Sequence, residues 1–145
     1  MSNPLADLDL SSVADASDSV AWYNQGEALA NLGRYPDALY CFERVIKIRP
    51  DYAAAWVFRG VILIHLERYE EALDSCEQAL SLQPEDSEAW TFRGVALHRL
   101  GDYRSAYASY DRALGVKRQS MWQTLLQRLR KVWKSLKNSQ AHWLS

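Results

Sequence analysis

The apolar positions between residues 19 and 120 recur at the spacing of helix faces. Trp22, Gly26, Leu29 and Leu32 step by four, three and three, and Trp56, Gly60, Leu63 and Leu66 repeat the steps. A second periodic stretch follows each one: Ala38, Phe42, Val45 and Ile46, then Ala72, Cys76, Ala79 and Leu80. Pro50 and Pro84 close these stretches, because a proline forces the residue before it out of the α region. The pattern predicts pairs of helices, each pair burying one apolar face between its members.

The pairs are copies of one another. A step of 34 residues carries Ala21 to Ala55 and Ala89, Trp22 to Trp56 and Trp90, and Gly26 to Gly60 and Gly94. The same step links Leu29, Leu63 and Leu97; Leu32, Leu66 and Leu100; Tyr35, Tyr69 and Tyr103; and Ala38, Ala72 and Ala106. Three units follow, 19–52, 53–86 and 87–120. Glycine inside a helix costs about 1 kcal/mol relative to alanine, so the three repeated glycines need a packing reason. Close approach to Ala38, Ala72 and Ala106 of the second helix is the expected one.

The pattern W-x-x-x-G-x-x-L, then Y-x-x-A, then P, held in three copies, resembles the tetratricopeptide repeat. The resemblance implies an all-α fold: a right-handed α-solenoid of three helix-turn-helix repeats, closed by a long C-terminal capping helix. Departures are visible. A leucine that the family often carries before the helix glycine is Gln25, Arg59 and Arg93; Glu67 replaces the turn glycine present as Gly33 and Gly101; and Arg118 stands in the register of Pro50 and Pro84. Without that proline the third unit is free to run on into the tail.

The resemblance also implies a concave groove lined by the first helix of each unit, holding an extended or helical peptide. Its lining is Tyr23, Asn24 and Glu27 in unit one, with Ala30 and Asn31; Val57, Phe58, Val61, Ile64 and His65 in unit two; and Thr91, Phe92, Val95, His98 and Arg99 in unit three, beside Glu88. Chaperone-binding members of the family hold an acidic C-terminus in a clamp of Lys, Asn and Arg. Tyr23, Glu27, Phe58, Glu88 and Phe92 stand at those positions here, so the expected ligand is an apolar segment of another protein. Loss of Phe58 and Phe92 is expected to weaken its capture.

The reading is of a non-enzymatic interaction scaffold. Neither a nucleophile-base motif nor a glycine-rich phosphate loop is present, and His65 and His98 lack the i, i+4 partner of a helical metal site. No catalytic residue, metal or cofactor is expected. Cys41 and Cys76 read as small buried hydrophobes, and with neither a leader nor a spanning segment read in the sequence the expected location is the cytoplasm, with peripheral membrane attachment as the variant.

Charge sharpens the picture of the two ends. The net charge of −1 divides into −4 over residues 1–18, −4 over 19–115 and +7 over 116–145, a segment without a single acid. Residues 1–18 read as an acidic disordered segment, or else as a short self-docking one using Leu5, Leu8 and Leu10, with Ser17, Asp18 or Ser19 capping the first helix.

Residues 121–145 read as a basic amphipathic helix. Trp122, Leu125, Leu126, Leu129, Val132, Trp133, Leu136, Trp143 and Leu144 lie on one side, opposite Arg128, Arg130, Lys131, Lys134 and Lys137. Trp122 to Leu129 is expected to cap the last repeat, leaving Trp133, Leu136, Trp143 and Leu144 for another use. Three uses compete: pairing with a second copy of the chain as a homodimer, contact with an anionic membrane surface, or folding back into the groove. No specific nucleic acid is expected, since the basic residues have no stacking platform beside them.

Overall fold

Each stop signal in the sequence ends a helix. The computed structural model describes residues 10–143, which form α1 (Leu10–Asn31), α2 (Tyr35–Ile48), α3 (Ala53–His65), α4 (Tyr69–Leu82), α5 (Ser87–Arg99) and α6 (Tyr103–Trp143). The six helices stack as three hairpins, α1 on α2, α3 on α4 and α5 on α6. The fold is an all-α helical repeat solenoid. Second helices meet the first helix of the next hairpin, α2 on α3 and α4 on α5, while α3 also packs directly on α5. The first helices therefore stand on the inner side of the stack.

The hairpin turns repeat to the atom. Arg34, Arg68 and Asp102 donate their N–H to the carbonyls of Leu29, Leu63 and Leu97 at 2.9, 2.8 and 3.0 Å. This closure needs a left-handed residue, supplied by Gly33 at φ 75° and Gly101 at φ 86°, and by Glu67 at φ 60° in the middle turn.

Close approach explains the helix glycines, with a correction to what they face. A Cβ on Gly26 would lie 3.0 Å from the Phe42 ring, on Gly60 3.0 Å from Cys76 Sγ, and on Gly94 2.5 Å from the Tyr110 ring. The side chain one turn beyond the expected alanine fills the space, and the carbonyls of Ala72 and Ala106 come next, at 3.4 and 3.1 Å. Cys76 is thus a packing residue, and burial pushes its thiol up to about 12.

Successive hairpins are tied by two repeated polar locks. The indole N–H of Trp56 donates to the carbonyl of Pro50 at 2.8 Å, and that of Trp90 to Pro84 at 2.8 Å. In the second lock Arg93 donates to Ser109 Oγ at 2.6 Å and pairs with Glu77 at 3.5 Å; Arg59 does the same with Ser75 and with Glu43, at 3.5 Å. Each arginine thereby joins the preceding second helix to its own. This accounts for Arg59 and Arg93 where the family favours leucine: their forks satisfy the buried hydroxyls of Ser75 and Ser109.

Both ends differ from expectation. Residues 1–9, with Leu5 and Leu8, lie outside the described residues, whereas the chain from Leu10 is already helical. Ser19 is therefore inside α1, buried, with its hydroxyl donating to the carbonyl of Ala16 at 2.7 Å rather than capping a helix.

At the other end no cap folds back. The second helix of the third unit continues without a break as one helix of 41 residues, about 60 Å long. The reason is local. Arg118 replaces the terminating proline, Thr124 replaces the tryptophan that would grip its carbonyl, and no proline follows to turn the chain. Trp122, Leu125, Leu126 and Leu129, expected to cover the last repeat, stand in solvent, each 45–60% exposed.

Candidate functional site

The inner side is built around one aromatic cluster. Tyr23 on α1 meets Phe42, Tyr52 and Phe58 edge-on at 5.6, 5.2 and 5.6 Å between ring centres, and Phe58 stacks flat on Phe42 at 5.2 Å. Edge-to-face contacts of this kind contribute about 1 kcal/mol each beyond burial. Phe58 therefore serves the joint between the first two hairpins, and removing it is not a clean probe of ligand capture.

Burial pushes the Tyr23 hydroxyl up to about 12, and Tyr52, Glu27 and Glu88 push in the same direction. Beside the aromatic cluster, a cavity of about 220 Å³ is lined by Tyr52, Ala53, Ala54, Val57 and Phe58 with Asp51, Gln83, Asp86 and Glu88 at its polar edge. Asp86 is already engaged, accepting from the N–H groups of Glu88 and Ala89 at the start of α5.

The remaining groove residues divide into packed and open ones. Val57 is only 5% exposed, packed with Ala79, Leu80 and Ala89, so its expected place on an open lining is corrected to the core between hairpins. Val61 and Phe92 lean on that core and Ile64 on the cluster that holds Phe42 and Ile62, each half-buried, as is Val95. Thr91 turns its hydroxyl back to the carbonyl of Ser87 at 2.8 Å. Asn24, Glu27, Glu88, His98 and Arg99 are exposed.

The two groove histidines are held by tyrosines: His65 stacks on Tyr35 at 4.4 Å, and His98 meets Tyr103 edge-on at 5.0 Å. Among the described residues no group of three His, Cys, Asp or Glu is placed to hold a metal, and no helix is long and apolar enough to cross a membrane.

Reading only the first helices overlooked the inter-repeat turns, which supply Asp51, Tyr52, Gln83 and Asp86 to the cavity. The available signal was register: Asp51 and Tyr52 follow Pro50 as Glu85 and Asp86 follow Pro84.

The second candidate is α6 beyond the third hairpin. Trp133 and Leu136 are 68% and 56% exposed, and Arg130, Lys134 and Lys137 are exposed around them. Leu126, Leu129, Val132, Trp133 and Leu136 form a shallow apolar depression edged by Arg130. Trp143 ends α6 without a described side chain, and Leu144 lies outside the described residues.

Three hairpins in register, with repeated turn closures, glycine contacts and indole–proline bonds, define a helical repeat protein. The chain belongs to the tetratricopeptide repeat family, whose models match residues 14–52, 23–87 and 63–129. No curated protein matches it.

Among solved structures, the second TPR of Spaghetti (RPAP3) bound to HSP90 peptide SRMEEVD is 26% identical. The likeness covers 71% of this chain and 97% of that one, at a TM-score of 0.68. The Arabidopsis OM64 TPR domain is 23% identical over 81% of this chain and 98% of that one, TM-score 0.71, a likeness of fold. MamA from Desulfovibrio magneticus RS-1 is 28% identical over 68% of this chain, TM-score 0.65, and the likeness takes in 55% of that chain.

Proposed function

We propose that this protein is a non-enzymatic interaction scaffold whose inner face receives an apolar segment of another protein bearing basic residues, and whose tail helix is a second contact element. The observation that carries the reading is the Tyr23–Phe58 aromatic joint, with Glu88 lining the cavity beside it and Glu27 exposed one turn along α1 from Tyr23. A half-buried aromatic floor supplies contact area, and the carboxylates select the sign of charge beside it.

The fold alone favours a peptide ligand, since the RPAP3 repeat domain is bound to an HSP90 peptide ending in EEVD. The chemistry differs here. Glu27 and Glu88 stand on the inner face, so an acidic tail meets like charge. Basic residues in the ligand remove that repulsion and neutralise the acidic rim.

Fluorescence anisotropy with two labelled peptides of equal apolar content, one lysine-bearing and one glutamate-bearing, tests this. The lysine peptide is expected to bind at least tenfold tighter, and Glu27→Lys with Glu88→Lys to reverse the order. Equal affinity of both peptides for both proteins contradicts the reading.

The tail carries the alternative of a peripheral membrane-associated assembly factor. It is supported by the exposed Trp133 beside Arg130, Lys134 and Lys137. Co-flotation with phosphatidylserine vesicles, lost at high salt, is the result that reading requires.

A further inference from the structure

The outer face of the last hairpin is open. Leu39 and Leu80 of the first two second helices are 6% and 9% exposed, because α3 and α5 of the next hairpin cover them. In the same 34-residue register the third unit carries Tyr107 and Leu114, which are 60% and 48% exposed. Among the described residues no helix covers them, and α6 carries its own tail straight away from the spot.

Among the described residues, six of the eleven large apolar ones exposed on α6 have a self-complementary spacing. Tyr103, Tyr107, Leu114, Leu125, Val132 and Leu136 are separated by 4, 7, 11, 7 and 4 residues, a sequence that reads the same in both directions. Wound at 100° per residue they fall in an arc of about 60°. Two such helices laid antiparallel, with a dyad between residues 119 and 120, set Tyr103 against Leu136, Tyr107 against Val132 and Leu114 against Leu125, twice over.

A second feature has no reason in the single chain. Gly115 lies inside α6, where glycine is costly, yet a Cβ there would meet open space. A two-fold axis brings the same flank of both helices together. Gly115 and Ala108 share a flank with Trp122 and Trp133, and the register places each small residue near a tryptophan of the other helix. The glycine is then the slot for an indole.

We propose that two copies of this chain pair through antiparallel α6 helices, the tail of each covering the open last hairpin of the other. The inference rests on the reading of the tail as a contact element and names its partner. Covering the whole of this line on both helices removes on the order of 1,200 Å² from water, at the low end of specific interfaces. The symmetry is closed, so pairing stops at two.

Sedimentation equilibrium of the full chain at micromolar concentration is expected to give twice the chain mass. Tyr107→Glu and Val132→Glu, on opposite halves of the helix, each return it to one, with unchanged helicity by circular dichroism. Under mild oxidation Leu114→Cys mixed with Leu125→Cys is expected to form a mixed disulfide, because both native cysteines are buried.

Four results overturn the proposal. They are a monomeric full chain; crosslinking of Leu125→Cys to itself in preference to Leu114→Cys, which marks a parallel pair; a dimer that survives Val132→Glu but is lost with Glu27→Lys and Glu88→Lys, which places the tail in the inner face; and a monomer that floats with phosphatidylserine vesicles. A monomer that still prefers the lysine peptide separates failure of this pairing from failure of the inner-face reading.

Discussion

Glu67 holds a backbone angle of φ 60° where its counterparts Gly33 and Gly101 hold 75° and 86°. A side chain in the left-handed region costs about 1 kcal/mol, so Glu67→Gly is expected to raise the melting temperature by roughly 3 °C in a calorimetric scan. Gly60 is the opposite case. With Cys76 Sγ already 3.0 Å from an added Cβ, Gly60→Leu is expected to cost about 3 kcal/mol and to be measurable by urea unfolding.

Two buried protons add a pH dependence. Cys76 and Tyr23, ordinarily near 9.0 and 10.0, are both pushed up to about 12, chiefly by burial, which favours the neutral forms in the folded chain. Their stabilisation is complete below pH 9 and is lost as pH rises from 9 towards 12. Melting at pH 8 and at pH 11 is expected to show the drop, and Cys76→Ala to lessen it.

These residues show how far sequence reading reached. Glu67 was visible as a departure because its column is otherwise glycine. That Tyr23 and Phe58 also join hairpins was not visible, because a 34-residue period locates side chains on a helix without saying which neighbour they meet.

At the level of elements, the hairpins were legible because Leu29, Leu63 and Leu97 accept the turn closures and Pro50 and Pro84 accept the indole bonds. Each of these positions is a column of the repeat. The Glu43–Arg59–Ser75 and Glu77–Arg93–Ser109 locks were hidden for a different reason: they join three helices from two units. Arg59→Ala and Arg93→Ala are each expected to cost about 1.5 kcal/mol in urea unfolding, adding nearly independently because the locks share no residue. The missing stop within α6 was also visible at Arg118. Its outcome was not, because whether a helix runs on or doubles back as a cap depends on what the last hairpin leaves uncovered.

Across the whole molecule the near-neutral charge conceals a separation. The C-terminal segment from residue 116 carries +7, while Glu27, Asp51, Asp86 and Glu88 gather about the aromatic joint of the inner face. The two contact elements therefore differ in sign as well as in shape, one a lined recess and one an extended helix. A repeat stack keeps them on a common frame, since each hairpin touches only its neighbours and the frame is set by repeated joints.

The central claim is that the inner face is the site for a basic apolar segment. Amide chemical-shift mapping of the full chain during titration with the lysine-bearing peptide tests it most directly. Saturable shifts at Asn24, Glu27, Tyr52, Glu88 and Thr91 are expected, with α6 beyond residue 121 unmoved; shifts confined to α6, or none at saturating peptide, contradict the account.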